Sequence, residues 1–259
     1  MLLVMDIGNT NIKFGLFDGG KLLESWRISA QKSRTADELG VIMGSLFSAK
    51  SRFSFSDVDG MIMSSVQPAL NYTVEHTCDY YIGKKPVVVS SEIKTGLKFL
   101  YTNPEELGAD RIVNAVSAYR TYGGPCIIVD CGTATTFSAV NAEAEFLGGA
   151  IAPGIKAGAD ALTEVASKLP KIELIKPKSI IGKSTISNMQ SGIIHGFTGL
   201  VNHILLEMKK EAGMSGATVI ATGGLSELID FDGRLNVVKD RALSLYGLKM
   251  IYDINNGKM

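Results

Sequence analysis

From Leu3 to Phe17 the chain reads as an apolar run, a polar break at Asp6-Ile7-Gly8-Asn9-Thr10-Asn11, and a second apolar run. That is the pattern of a strand, a tight turn and a returning strand. The same phrase recurs over residues 127–140, where Ile127-Ile128-Val129 leads into Asp130-Cys131-Gly132, a threonine cluster and a further apolar run. Around the first hairpin, alternation predicts a strand over residues 22–28, with Leu23 and Trp26 inward and Lys21 and Glu24 exposed. Helical spacing follows over 35–49 (Leu39, Ile42, Met43, Leu46) and over 70–81, and apolar strands over 58–65 and 86–90. The order strand-strand-strand-helix-strand-helix-strand is that of a ribonuclease-H-like lobe, a mixed sheet covered by helices.

A helix is expected to start at Asn103-Pro104, where Asn suits the cap, Pro the first helical position, and Glu105 and Glu106 the dipole. It runs to residue 122, and Gly123-Gly124-Pro125 ends it. The domain boundary falls there, giving lobes of residues 1–122 and 123–259. The second lobe repeats the scheme, with strands over 145–151 and 218–221 and helices over 159–168, 192–213 and 226–229. Residues 242–255 form a last helix that packs back across the lobes, and 170–183 form a polar, mobile loop. The fold class expected is α/β, two ribonuclease-H-like lobes with a nucleotide cleft between them, as in actin-like ATPases.

Composition narrows the partners. The 46% hydrophobic content supports real cores, and 26 basic residues balance 26 acidic ones without a long basic run. Nucleic acid is thereby excluded as an electrostatic partner. Cys78, Cys126 and Cys131 have no metal-ligand or Cys-x-x-Cys spacing, which points to a reducing compartment. Asp6 interrupts the apolar start with no positive charge before it, so no signal peptide is read there. No stretch approaches the roughly 18–20 apolar residues of a membrane span. A cytoplasmic protein without a membrane partner is expected.

The chemistry concentrates in three segments. Gly8 and Gly132 permit close backbone approach to a ligand, and Asn9, Thr10, Thr133, Thr135 and Thr136 can donate to phosphate oxygens. A carboxylate such as Asp6 or Asp130 beside a phosphate needs a cation between them, so the paired turns suggest a metal-nucleotide. Lys13 either neutralises phosphate or is a solvated strand side chain. In Gly108-Ala109-Asp110-Arg111, helical geometry at about 100° per residue puts Asp110, Asn114 and Ser117 on one stripe with Arg111 beside it. Ile112, Val113, Val116 and Tyr119 take the core side. The polar face is either a solvated ion pair or a cleft wall carrying a base and an anion clamp. Thr222-Gly223-Gly224 ends a strand where adenosine could lie, or is a plain turn, and Gly148–Gly154 is a small-residue loop near the second phosphate turn. His76, His195 and His203 are scattered singly and receive no role. Neither a P-loop nor a Rossmann glycine fingerprint is present.

Together, Asp-x-Gly-Asn-Thr at the start, Gly-Ala-Asp-Arg mid-chain and Asp-Cys-Gly-Thr-Ala-Thr-Thr at residues 130–136 resemble type III pantothenate kinase, of the acetate and sugar kinase, heat-shock ATPase and actin superfamily. The likeness extends over nearly the whole chain, through Gly148–Ile155, Gly182–Thr185, Gln190–Gly192 and Leu245–Leu248. It implies transfer of the ATP γ-phosphate to the pantothenate hydroxyl, giving 4'-phosphopantothenate, the first step of coenzyme A biosynthesis. By the resemblance, Asp6, Ile7, Gly8, Asn9, Thr10, Asn11, Ile12, Lys13 and Thr133 bind ATP, and Asp6 holds Mg2+ through water. Asp110 is the catalytic base. Tyr101, Gly108, Ala109, Asp110 and Arg111 line the pantothenate pocket. Asp130 holds a monovalent cation, K+ or NH4+, and Thr185 reaches pantothenate from the neighbouring subunit of a homodimer. Apolar residues on more than one face of the 192–213 helix, from Ile193 to Leu205, agree with a partner surface or with a fully buried helix. Members usually carry Asp where Thr102 stands and often Val where Gln67 stands. The alternatives are another small-molecule kinase of the superfamily, against which the short length argues, and a non-catalytic nucleotide-binding regulator, which would need no base.

Overall fold

A computed structural model describes residues 1–50 and 53–257 of the chain. It divides into two compact units: Met1–Leu97, Thr102–Ser117 and the chain from Ala242 onward form the first, and Lys98–Tyr101 with Ala118–Arg241 form the second.

The first unit is built on β1 (Leu2–Ile7), β2 (Asn11–Asp18) and β3 (Lys21–Ser29), an antiparallel meander followed by α1 (Ala36–Lys50). The chain then returns through β4 (Gly60–Ser65), α2 (Pro68–Thr77) and β5 (Val87–Val88) to give a five-stranded sheet of order β3-β2-β1-β4-β5. β4 lies parallel to β1, so the carboxyl ends of both strands open on the same edge, Asp6 opposite Ser64 and Ile7 opposite Ser65. β1 is buried along almost its whole length because it lies centrally in a sheet packed on both faces. Leu3, Met5, Ile7, Phe14 and Met63 pack with Leu39 and Met43 of α1 and Leu70 and Val74 of α2.

β6 (Lys98–Phe99) precedes α3 (Ala109–Tyr122). The second unit then repeats the plan: β7 (Cys126–Cys131), β8 (Ala134–Val140), β9 (Glu145–Pro153), α4 (Ile155–Val165), α5 (Thr185–Met208), β10 (Thr218–Thr222) and β11 (Val237–Lys239). Its sheet runs β11-β10-β7-β8-β9-β6. β7 and β8 are antiparallel, and β10 is parallel to β7. The two sheets thus share one topology, with β6 added at an edge. The last helix, α6 (Leu243–Asn255), returns to the first unit and packs against β1, β2 and β4.

Several boundaries differ from the pattern-based expectation. No α-helix starts at Asn103: Pro104–Glu106 make a separate 3₁₀ turn, Leu107 is extended (φ −73°, ψ 119°), and α3 begins at Ala109. The α-helical part of α2 stops at Thr77 and continues as one π turn to Ile82, ended by left-handed Gly83. α4 starts and ends earlier than residues 159–168. α5 starts seven residues before Gly192, because Ser184 and Ser187 form a reciprocal capping box that launches the helix at Thr185. β6 and β11 are too short for periodicity to register. Residues 170–183 are irregular as expected but tethered, with Gln190 Nε2 donating to the Glu173 carbonyl (2.9 Å) and Ser191 Oγ to that of Ile180 (2.5 Å).

Candidate active site

The β1–β2 turn is held from three directions. Gly8 N–H donates to Asn11 O (2.9 Å), Ala30 N–H donates to Thr10 O (2.9 Å), and Val66 N–H donates to Ile7 O (3.0 Å). Asp6 lies one residue before the strand end and is 8% exposed. Its Oδ1 accepts from Ser64 Oγ at 3.1 Å, and its Oδ2 lies 3.4 Å from Lys13 Nζ. Lys13 faces Asp6 because the two are register partners across the antiparallel pair, which puts their side chains on one face. Lys13 is therefore an ion-pair partner of Asp6 and not an isolated solvated side chain. Asn9 and Thr10 are exposed at the tip, and Asn9 Oδ1 accepts from Gln67 Nε2 at 3.1 Å.

Gly108–Arg111 sit at the amino end of α3 and not mid-helix, so Asp110 lies in the first turn, where the helix dipole favours a negative charge. Asp110 Oδ1 accepts from Arg111 N–H at 2.8 Å. A Cβ on Gly108 would fall 2.6 Å from that same oxygen, so glycine is what leaves the carboxylate room to fold back over the helix end. Burial first, and the charge of Asp6 second, push the Asp110 carboxyl above its ordinary range, against a smaller lowering by the Arg111 amide and charge. Of the two readings of this polar face, the solvated one does not hold. Arg111, Asn114 and Ser117 are all buried, as is every residue from Arg111 to Ala118. α6 crosses this helix so closely at Gly247 that a Cβ there would lie 2.1 Å from Val113 O.

In the second unit, Gly132 N–H donates to Ala134 O (3.1 Å), closing a turn one residue shorter than its counterpart. Asp130 is paired in register with Thr136, where the first unit has Lys13 opposite Asp6. The small residues flagged in the sequence converge here. A Cβ on Gly154 would lie 2.2 Å from Thr133 O, and one on Gly223 2.5 Å from Asp130 Oδ1. Gly223 also has φ +88°, so the position needs glycine on both counts. Tyr101 is half-buried, edge-on to Phe146 at 6.2 Å, and Thr185 is the exposed first residue of α5. All three cysteines are free and buried, their thiols pushed up to about 12 chiefly by burial, as suits side chains that only pack.

The first unit thus brings Asp6, the Gly8–Lys13 turn, Ser64 and Gln67 together, with Asp110 near enough to feel the charge of Asp6. Ser64 was not assigned from the sequence, which offered only an apolar strand running into a loop, and Gln67 stood out only as a departure from the Val that family members often carry at the pocket edge. The available signal was topological: in an open parallel sheet, ligands gather at the carboxyl ends of adjacent strands, and β4 is the parallel neighbour of β1. The apolar residues of α5 do not mark a free face. Ile193, Ile194, Val201 and Leu205 are buried, and Phe197, Leu200 and Ile204 pack on the second unit's own core.

The family profile described as type III pantothenate kinase matches residues 2–207. Among solved structures, the chain is similar to one described as a Baf family transcriptional activator from Campylobacter jejuni (19% identity, TM-score 0.59, 99% of this chain and 100% of that one). It is also similar to the ROK hexokinase of Thermus thermophilus (10%, 0.56, 100% and 99%) and to MreB 5 of Spiroplasma citri bound to AMPPNP (11%, 0.56, 99% and 98%). These likenesses extend the fold, two actin-like α/β units, over the whole chain.

Proposed function

The chain belongs to the type III pantothenate kinase family, and from that premise we propose how its residues divide the work of moving the ATP γ-phosphate to the pantothenate hydroxyl. The activity is that of an ATP-dependent pantothenate kinase. Asp110 is the base that accepts the hydroxyl proton. The observation that carries this is its carboxylate at the amino end of α3, held above its ordinary range by burial and by Asp6. A base is more effective when its affinity for a proton is raised toward the working pH. Arg111 beside it clamps the pantothenate carboxylate, with Gly108 and Ala109 lining the acceptor pocket.

The segment Asp6 to Lys13 binds the ATP phosphates, and the AMPPNP reported with MreB 5 is a nucleotide of the same kind on a similar fold. Asp6 fits magnesium, held through water, by its donor chemistry: a hard carboxylate with Oδ1 accepting from Ser64 and Oδ2 facing Lys13 Nζ at 3.4 Å. Among the described residues no group of three or more His, Cys, Asp or Glu could hold a metal. Magnesium, when bound, neutralises charge developing on the transferred phosphoryl group. Lys13, on the same face as Asp6, would supply a positive charge to a phosphate oxygen. Asp130, opposite Thr136 where the first unit has Lys13 opposite Asp6, offers oxygen donors for a monovalent cation, K+ or NH4+.

A homodimer completes the acceptor pocket through Thr185. Exposed Ile151, Val165 and Ile181 of the second unit support a partner surface (67%, 88% and 76% exposed). Among the described residues no helix is long and apolar enough to cross a membrane. The test is ATP turnover with pantothenate against a panel of hydroxy acids and sugars, in potassium and then in sodium or a bulky organic cation. Pantothenate should be the acceptor, and the rate should fall sharply without potassium or ammonium. Turnover on another hydroxy acid would overturn the acceptor assignment. Full activity without a small monovalent cation would remove Asp130 from its role.

A further inference from the structure

Gln67 is a buried amide at a place where no assigned role explains it. It is 8% exposed and stands at the N-cap of α2, yet its side chain makes no capping bond there. Its Nε2 instead reaches across to the exposed tip of the β1–β2 turn and donates to Asn9 Oδ1 at 3.1 Å. The backbone that carries it is fixed without any ligand. Gln67 N–H donates to Ser65 Oγ (3.1 Å), Leu70 N–H donates to Gln67 O (2.9 Å), and Val66 N–H donates to Ile7 O (3.0 Å).

A carboxamide has one face that accepts and one that donates, on opposite ends of a planar group. With the Asn9 oxygen accepting from Gln67, its NH2 is left to donate at the exposed tip of the turn. The reverse orientation would aim a carbonyl oxygen at whatever anion binds there. The turn's main chain is pinned through Gly8, Ile7 and Thr10, which leaves the Asn9 amide as the group whose sense a neighbour must still set. We propose that Gln67 is a positioning residue that fixes the polarity of the Asn9 amide, so that Asn9 presents two N–H donors to the ATP phosphates. This rests on the reading that the turn binds those phosphates, and it adds a residue acting through Asn9 without touching the nucleotide.

The physical consequence is pre-organisation. An amide already held in its binding sense loses less rotamer freedom when the nucleotide arrives, and that ordering otherwise costs affinity. Two substitutions separate the terms. Gln67→Met keeps length and neutrality but cannot donate, so Asn9 is freed and not reversed. Gln67→Glu is isosteric and, ionised, can only accept. Its carboxylate would draw the Asn9 NH2 toward itself and aim the Asn9 oxygen at phosphate.

The experiment measures the equilibrium Kd for ATP, with magnesium and without pantothenate, for both substitutions in the wild-type and Asn9→Ala backgrounds; thermal unfolding checks that each protein is folded. Gln67→Met is expected to raise Kd roughly threefold. Gln67→Glu is expected to raise it tenfold or more, the worth of a hydrogen bond to a charged group. In the Asn9→Ala background Gln67→Met should change nothing, and Gln67→Glu should keep only its charge repulsion; that loss of effect is the signature of coupling. If Asn9→Ala leaves Kd unchanged, the phosphate reading of the turn is wrong. If Asn9→Ala weakens binding but the Gln67 variants act equally with and without Asn9, the positioning role is overturned while the phosphate reading stands. Should Gln67→Glu not fold, equal effects of Gln67→Met in the two backgrounds overturn it alone.

Discussion

Asp110→Asn is the perturbation that most directly tests the chemistry. Asn has the shape of Asp, and its Oδ1 can go on accepting the Arg111 N–H that Asp110 accepts at 2.8 Å, so the amino end of α3 should keep its geometry. What disappears is the capacity to take a proton. A positioned base contributes roughly 10²–10⁴-fold, or about 2.7–5.4 kcal/mol of transition-state stabilisation, so kcat should fall by that factor with little change in ATP affinity. The wild-type rate should decline as pH falls through the raised value of Asp110, and the residual rate of the variant should lack that limb. Stability should move the other way. Because the folded-state value is raised above the ordinary 3.8, ionised Asp110 is less favourable in the folded protein than in the unfolded chain. The penalty is absent below the ordinary value, grows as pH rises through the folded value, and is complete above it. The variant should therefore melt above wild type at pH 8, with the difference closing toward zero below about pH 3.8. Initial rates and calorimetric Tm over a pH series measure both. A variant within about threefold of the wild-type rate would refute the base assignment. One that melts lower at pH 8 than wild type would refute the account of Asp110 as a carboxylate carried at a cost to the fold.

Arg111→Lys should raise KM for pantothenate with a smaller effect on kcat, because a point charge cannot match a carboxylate as a planar fork does; equal penalties on pantothenate and its carboxamide analogue in both proteins would reduce Arg111 to a structural cation. Subunits carrying Asp110→Asn, mixed with subunits carrying Thr185→Ala, should regain activity if each pocket draws on both chains; a monomer by sedimentation, or no recovery after demonstrated exchange, counts against a shared site. Gly247→Ala should destabilise the first unit by about 1–3 kcal/mol, since the added Cβ would meet the Val113 carbonyl at 2.1 Å; that is a fall of several degrees in Tm, and an unchanged Tm would mean that α6 does not press on α3.

The sequence by itself determined the two hairpins, because each is a local object: apolar runs on either side of an Asp, a Gly and small polar residues leave the chain no other economical shape. Duplication at that scale carried the order of elements in both units with it, whereas Gly108–Arg111 read by itself as a solvated ion pair or a cleft wall and gained its role only from the family resemblance. Helix starts were less secure. Leu107 breaks the expected continuation from Asn103, and α5 begins seven residues early on a serine capping box that glycines at 192 and 196 disguised. What only tertiary structure decided were facts about neighbours distant in sequence. The burial of Arg111, Asn114 and Ser117 depends on what packs around α3, which the spacing along the helix does not record. The pairing of Lys13 with Asp6 follows from strand register. Ser64 and Gln67 enter the site because parallel pairing sets the end of β4 beside the end of β1, 58 residues away along the chain, and no local pattern of apolar and polar residues records which strands will lie side by side.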